Sequence, residues 1–343
     1  MLGGSCSPDS FSFGIPNPPD KVFSRISMRN SRDHMTDTRD IQMEDKQGHK
    51  FLDEEAMHLV YAVCGKDVKL EFLTSLTSFY LFAISSLLHS PLYYHIHVVS
   101  DGLVVKQDLA FLRPSAHFKA SIHPPYSHSV ELFKLCSTER IYLHEHEDFR
   151  NMDKVIYVDA DTLWMDFPSV LQLHFADMEK KSAHFGLAEE TYSGGSWYTI
   201  DWAPPEKNLS IPFYGERGLN AGLLVVSLAA VRTSNFSAER DAVIAQYGPL
   251  GLLEMGDQDV LNIIAHKHPY NFHVLPCSVN VRSDARCPPG LPVLIHGNRS
   301  IMKDPATTFN HLYTFFAMMS RAINSPTVAE VLREVVHEMS RSI

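Results

Sequence analysis

Asp153-Lys154-Val155-Ile156-Tyr157-Val158-Asp159-Ala160-Asp161-Thr162-Leu163 is the stretch that decides the fold. Its apolar run Val155 to Val158 reads as a buried strand, and the chain leaves that strand on two carboxylates separated by one residue. Asp is common at strand exits, where it caps the next turn, and the pair can serve that purpose alone. At the mouth of a sheet, Asp159 and Asp161 can also share one hard divalent cation and, through it, a diphosphate. Asp166, further along, reads as a turn residue.

Upstream of this strand the pattern alternates. Met57 to Val63 is an apolar run rich in β-formers, Phe72 to Leu88 has helical spacing, and Tyr93 to Val99 reads as a second strand ending at Ser100-Asp101-Gly102. Strand, helix and strand in sequence predict parallel pairing through a right-handed crossover. Phe118 to Ile122 is a candidate third strand, and Glu131 to Leu143 has helical spacing through Leu132, Leu135, Cys136 and Ile141. The Phe72–Leu88 segment carries no charge and imitates a membrane span. Its Ser and Thr residues, its length and its apolar spacing favour a helix packed in a core instead.

Downstream, Ser182 to Leu187 and Leu223 to Ser227 read as strands, and Ala238 to Tyr247 and Asp257 to His266 as helices. Ser193 to Gly218 is rich in Gly, Pro and aromatics, as a long loop shaping a substrate cleft would be. Pro292 to Ile295 is strand-like and is followed by His296-Gly297-Asn298 and two C-terminal helices. The fold class is α/β, a doubly wound sheet whose ligand should sit beyond the carboxyl ends of its strands.

Composition sets the outer limits. With 343 residues, 45% of them hydrophobic, the chain can bury a sizeable core. Residues 56–343 are expected to form one domain, and residues 1–55, polar and without an apolar signal core, a flexible tail or truncated stem. A formal charge of −10 argues against a general nucleic-acid binder and requires any phosphate to be held locally. The five cysteines contain no CxxC pair. Cys277 and Cys287 either close a small loop or stand as buried thiols. Asn208-Leu209-Ser210 and Asn235-Phe236-Ser237 would permit glycosylation in a secretory lumen.

Several other positions can carry chemistry. Asn220-Ala221-Gly222 precedes a predicted buried strand; Gly222 suits a turn, and Asn220 can hydrogen-bond a ligand hydroxyl. Gly256-Asp257-Gln258-Asp259 opens a helix, with Asp257 as its expected cap and both Asp257 and Gln258 able to face a ligand. His296, after an apolar strand, can add a neutral nitrogen to a metal already held by two carboxylates. Arg299 or Lys303 can neutralise phosphate. His144-Glu145-His146-Glu147 looks metal-like but reads as a solvated loop. The chain has no HExxH, GxxxxGK or GxGxxG, which weakens zinc-protease, P-loop and dinucleotide-dehydrogenase readings.

The ordered set resembles glycosyltransferase family 8, and within it the glucoside xylosyltransferases. The resemblance rests on His58-Leu59-Val60-Tyr61-Ala62-Val63-Cys64-Gly65, Leu132-Phe133-Lys134-Leu135-Cys136 with Arg140, and Val158-Asp159-Ala160-Asp161. It continues through Asn220-Ala221-Gly222, Gly256-Asp257-Gln258-Asp259, Pro276-Cys277 and His296-Gly297-Asn298-Arg299. The resemblance implies a nucleotide-sugar-binding mixed sheet of the glycosyltransferase A type and a retaining, Mn²⁺-dependent transfer from a UDP-sugar. The metal would be held by Asp159, Asp161 and His296. The donor would be bordered by Ala62, Val63, Cys64 and Gly65, approached by Lys134, Arg140 and Arg299, and lined by Ala160, Ala221, Gly222 and Gly297. Asn220, Asp257 and Gln258 would face the transferred sugar.

For this subfamily the resemblance implies UDP-xylose as donor and, as acceptor, glucose O-linked to epidermal-growth-factor-like repeats, giving an α1,3-xyloside. Another UDP-sugar, or a glycan-binding module without catalysis, is the alternative. A glycosidase is disfavoured, because two acids on one strand end are badly placed to flank a bond. The family also implies the lumen of the Golgi or endoplasmic reticulum, with membrane attachment only through an anchor that this sequence does not show.

Overall fold

A computed structural model of the chain describes residues 56–87, 92–112, 117–130, 132, 134, 136–190, 211–282, 287–288, 290–297 and 300–323. The expected tail at 1–55, most of the predicted cleft loop, Asn208, Arg299 and the final residues of the chain lie outside the described residues.

The chain opens with β1 (Met57–Val63), α1 (Lys66–Leu87), β2 (Tyr94–Ser100) and β3 (Phe118–His123). It continues through β4 (Lys154–Val158), β5 (Thr162–Trp164), α2 (Gln172–Lys181), β6 (Phe185–Glu189) and β7 (Leu219–Ser227). The remainder comprises α3 (Leu228–Thr233), α4 (Phe236–Tyr247), α5 (Asp257–Lys267), β8 (Phe272–Leu275), β9 (Val281–Arg282), β10 (Leu294–His296), α6 (Ser300–Lys303) and α7 (Thr308–Ile323). Seven strands form one sheet in the order β3-β2-β1-β4-β7-β6-β8, and β5-β10-β9 form a small second sheet. β7 pairs antiparallel with β4 and β6, whereas the other neighbours in the large sheet pair parallel, so the sheet is mixed.

Period-2 alternation decides which side of the sheet each residue serves. Leu59, Tyr61 and Val63 of β1 face a core that includes Phe72, Leu76, Phe79 and Ala83 of α1, while Val60 belongs to a second core with Ile263 and Ile264 of α5. Each such fully buried side chain contributes roughly 1.5–3 kcal/mol. α1 is long and apolar enough to cross a membrane, yet most of its apolar length is buried inside the fold. Its hydroxyls explain the Ser and Thr content. Ser75 Oγ lies 3.0 Å from Thr162 Oγ1 and Ser78 Oγ accepts from the Trp164 N–H at 2.9 Å, joining the helix to β5.

Three sequence expectations change. Within 131–143 the described residues form only a 3₁₀ turn, Ser137–Ile141, because Cys136 sits in a left-handed conformation at φ 60° and is disulfide-bonded to Cys64. Asn220, Ala221 and Gly222 do not precede a strand but lie inside β7, their side of the ladder held by Asn262, which accepts from the Leu219 N–H at 2.7 Å. His144 and His146 are buried rather than solvated. His144 Nε2 lies 2.7 Å from Ser237 Oγ, and His146 Nε2 lies 3.0 Å from the Pro124 carbonyl, so both rings are structural. Cys277 and Cys287 are bonded to each other.

Candidate active site

The sheet order turns back between β1 and β4, the place in an open α/β sheet where ligands bind beyond the strand ends. β4 ends at Val158, and the next backbone N–H, that of Asp159, donates to the Gly222 carbonyl at 2.8 Å. The Gly297 N–H donates to the Asp161 carbonyl at 2.8 Å. These bonds fix the two acids against β7 and against the end of β10, whose last residue is His296. The His296 Nε2 lies 3.4 Å from Asp161 Oδ1 and 3.8 Å from Asp159 Oδ2. One ligand atom from each of the three residues falls within 4.8 Å of the others.

The hydrogen-bond network fixes the orientation of that imidazole. Asn220 Oδ1 accepts from the Gly222 N–H at 2.9 Å and from Asn280 Nδ2 at 2.7 Å, while its own amide donates to Glu190 Oε2 at 2.7 Å. Oδ1 is therefore the acceptor, and His296 Nδ1, 3.2 Å away, must donate to it. That leaves Nε2 facing two carboxylates, where it must carry either a proton or a bond to a cation. Burial alone would lower the pKa of His296, but Asp161 and Asp159 outweigh it and hold the value above normal. Two carboxylates and one imidazole suit a divalent cation of the Mn²⁺ kind. Gly222 makes room for this ring: a Cβ there would overlap the His296 imidazole, so the glycine serves a close approach and not the expected turn.

Arg140 ties the carboxylates together. It leaves the 3₁₀ turn that the Cys64–Cys136 disulfide pins to the end of β1. Its Nη2 pairs with Asp159 Oδ1 at 2.8 Å, its Nε with Asp257 Oδ2 at 2.7 Å, and its Nη1 donates to the Ala221 carbonyl. The guanidinium carbon lies 4.6 Å from the Tyr157 ring centre. Burial would depress the pKa of this guanidinium, yet Asp159 and Asp257 more than reverse the effect. Burial pushes the Asp257 carboxyl up to about 6 against the pull of Arg140. Burial also raises Asp159, with Arg140 opposing and Asp161 reinforcing. Asp257 is not the expected helix cap. Gly256 holds the cap position at φ 62°, and Asp257 is the first helical residue, turned to Arg140.

Gln258 Oε1 accepts from the Ala221 N–H at 3.0 Å, and its amide donates to Glu190 Oε2 at 3.3 Å. The fully buried Glu190 also pairs with Arg282 Nη1. Glu190, Asn280, Arg282 and Tyr157 are site residues that sequence reasoning missed. Glu190 did carry a signal, the second of two acids after the apolar run of β6, much as Asp159 follows β4.

Other predicted residues are less central. Ala62 and Val63 end β1, Cys64 is committed to its disulfide, and the Gly65 N–H donates to Asp101 Oδ2 at 3.0 Å. Ala160 is buried between the two acids. Lys134 is exposed, with its backbone N–H donating to Ser137 Oγ at 3.2 Å. Arg299 lies outside the described residues.

A family model described as glycosyl transferase family 8 matches residues 66–286. The chain is 25% identical over 328 residues to glucoside xylosyltransferase 1 of Rattus norvegicus, covering 86% of this chain and 70% of the relative. It is 28% identical over 299 residues to glucoside xylosyltransferase 1 of Danio rerio, covering 77% and 68%. Among solved structures, mouse xyloside xylosyltransferase 1 in its apo form aligns with a TM-score of 0.53 at 18% identity, over 72% of this chain and 99% of that one. The galactosyltransferase LgtC, solved with donor and acceptor sugar analogues, aligns with a TM-score of 0.53 at 14% identity, over 77% and 96%. At these identities the structural likenesses speak to fold, a glycosyltransferase A-type mixed sheet.

Proposed function

The chain belongs to glycosyltransferase family 8, and on that premise we propose that it moves xylose from UDP-xylose to a glucose O-linked on epidermal-growth-factor-like repeats, forming an α1,3-xyloside with retention. The observation that carries a metal-assisted donor site is the convergence of Asp159, Asp161 and His296 beyond the strand ends. The names of the two glucoside xylosyltransferase relatives support xylose as the sugar. Residues 56–343 would constitute the catalytic domain.

A Mn²⁺ ion held by Asp159, Asp161 and His296 would neutralise charge developing on the diphosphate leaving group. The chain's own residues set the rest. Asn220 holds the His296 ring with Nε2 toward the acids, and Arg140 holds Asp159 against rotation while balancing its charge. Asp257, Gln258 and Asn220 present fixed dipoles and charge to an oxocarbenium-like sugar, and they cost no reorganisation at the moment of transfer. Retention assigns no nucleophile here.

Two disulfides, Cys64–Cys136 and Cys277–Cys287, suit an oxidising secretory compartment such as the endoplasmic reticulum or Golgi lumen. Asn235 is exposed at the start of α4, where a glycan could be accommodated.

A panel of UDP-sugars, assayed for UDP release with and without Mn²⁺ and with a glucosylated repeat as acceptor, tests the proposal. UDP-xylose should turn over only when metal is present. Preference for UDP-glucose or UDP-galactose would remove the xylose assignment and leave the family intact. Undiminished biological function in Asp161→Asn would point instead to a non-catalytic glycan-binding role.

A further inference from the structure

A second group of metal-ligating side chains lies at the other end of the strands. His58 is the second residue of β1, and His95 and His97 are the second and fourth of β2. In register His58 pairs with His95 and Val60 with His97, so all three rings project from one face of the sheet, opposite the face covered by α1. One ligand atom from each of the three lies within 4.8 Å of the others. The ring centres of His95 and His97 are 3.8 Å apart, and that of His58 lies 5.5 and 5.3 Å from them.

We propose that His58, His95 and His97 form a second metal site, for a zinc-class ion, which pins the amino ends of the first two strands. Two nitrogens bound to one tetrahedral Zn²⁺ at about 2.0–2.1 Å stand about 3.3 Å apart. His58 Nδ1 and His97 Nε2 are already 3.0 Å apart. Parting the nitrogens by a few tenths of an ångström and turning both rings, so that their lone pairs converge to one side of the N···N line, admits the ion.

The surroundings orient the central ring as a metal ligand would need. Asp148 Oδ2 lies 2.8 Å from His123 Nδ1, and His123 Nε2 lies 3.0 Å from His97 Nδ1. With His123 donating to the carboxylate, its Nε2 accepts from His97 Nδ1–H, and the His97 Nε2 lone pair points toward His58. A carboxylate–imidazole relay behind a ligating histidine fixes its tautomer and raises its basicity. Burial first, and then His95, His58, His123 and Lys119, keep His97 neutral, the form that coordinates metal. In the metal-free protein the single proton of the His58 ring sits on Nδ1, facing His97 Nε2; metal binding takes His58 to its other tautomer, the proton leaving Nδ1 while one from solvent adds at Nε2, with no net release. His95 Nε2 lies 2.8 Å from Ser121 Oγ, which anchors the ring beside the other two. Lys119, opposite His95 in register, is only half-buried and must turn outward.

The ligand chemistry separates this site from the one at the carboxyl ends. Three imidazoles favour Zn²⁺ over Mn²⁺ or Mg²⁺, whereas Asp159 and Asp161 supply the hard oxygens that Mn²⁺ prefers. The histidine site is structural, and no group from it reaches the candidate active site among the contacts described.

The test uses the full chain without a histidine tag, stripped with chelator and titrated with Zn²⁺ against a chromogenic competitor, and in parallel with Co²⁺. Wild type and Asp161→Asn should each retain one tight zinc equivalent and give the intense visible absorption of tetrahedral Co²⁺. His58→Asn and His95→Asn should lose both while keeping Mn²⁺-dependent turnover. His58 is at the half-buried rim of a strand, so its variant keeps the test open if the buried positions fail to fold. Equal zinc uptake by wild type and His58→Asn, or a Co²⁺ spectrum of octahedral type in wild type, overturns the proposal.

Discussion

Gly222→Ala adds one methyl group to β7 and aims it at a proposed metal ligand. A Cβ at this position would meet Cε1 and Nδ1 of His296 well inside contact distance, with Asn220 Oδ1 next at 3.0 Å. Ordinary carbon–carbon contact is about 3.5–4.0 Å, so the ring must retreat by more than about 1 Å. The 3.2 Å hydrogen bond from His296 Nδ1 to Asn220 Oδ1 would not survive that movement. Losing a ligand's orientation typically costs about 10–100-fold in metal affinity, and a 1 Å misplacement at the reacting centre about 100-fold in rate. Gly222 has no positive φ, so the alanine itself fits the strand.

The assay is the Mn²⁺ concentration that gives half-maximal UDP release, read beside the thermal unfolding midpoint. Gly186→Ala is the matched control: a Cβ there meets Met178 Sδ at 3.1 Å, Leu275 Cδ2 at 3.2 Å and Val225 Cβ at 3.3 Å, none of them a site residue. Overpacking of that kind costs about 1–3 kcal/mol of stability. Gly186→Ala should lower the midpoint and keep the Mn²⁺ requirement, whereas Gly222→Ala should weaken metal activation by at least about tenfold. An unchanged Mn²⁺ requirement in Gly222→Ala would refute His296 as a ligand.

Arg140→Met leaves Asp159 and Asp257 buried beside no guanidinium, and unfolding in urea should show a loss of about 3–5 kcal/mol, part of it recovered in Arg140→Met with Asp257→Asn. The Cys64–Cys136 bridge spans a sequence separation of 72 and Cys277–Cys287 one of 10. In the chain-entropy account the first contributes about 4 kcal/mol and the second about 3, so Cys64→Ser should lower the urea midpoint more than Cys277→Ser. His144 is pushed down to about 4 by burial, Glu145 opposing, and is therefore neutral in the fold while the unfolded ring binds a proton below its ordinary value of 6.5. Its contribution to stability is full above that value and falls as pH drops toward 4, by up to about 1.4 kcal/mol per unit. His144→Asn should gain on wild type by that slope between those limits, and parallel pH–stability curves would contradict it.

The parts of the fold written in local pattern were legible. β1 and the Asp-x-Asp strand were placed within a residue of their ends, because continuous runs of β-formers bounded by turns leave few alternatives. The segment around Cys136 was not, because helical spacing survives in its sequence while a disulfide to a residue far upstream dictates a left-handed turn. The site split along the same line. Asp159, Asp161 and His296 announced themselves by residue type at strand ends. Asn280 and Arg282 did not, since their roles consist of contacts with Asn220 and with Glu190, and no periodicity records such contacts; Glu190 stood at a strand end but its contacts with Asn220 and Gln258 were equally unrecorded. Gly222 was seen but given the wrong reason, because the ring it accommodates arrives from β10, a different sheet.

The charges of the site explain why it suits one divalent cation and why Arg140 is buried there. Asp159, Asp257 and Glu190 pair with two guanidiniums, those of Arg140 and Arg282, while Asp161 faces His296. Arg282 answers Glu190, and Arg140 is shared between Asp159 and Asp257. With His296 neutral, four negative charges against two positive leave a deficit that one divalent ion cancels. Without Arg140 the deficit would grow, and an added metal would still leave an anionic surface where the proposed diphosphate donor would dock. A chain of formal charge −10 offers no general field to attract that diphosphate. The buried guanidinium therefore lets three acids gather where the proposed metal and sugar would bind, without repelling the proposed donor. It also shows why burial, which raises the pKa of Asp159 and Asp257, does not by itself neutralise them: the same burial strengthens their attraction to Arg140.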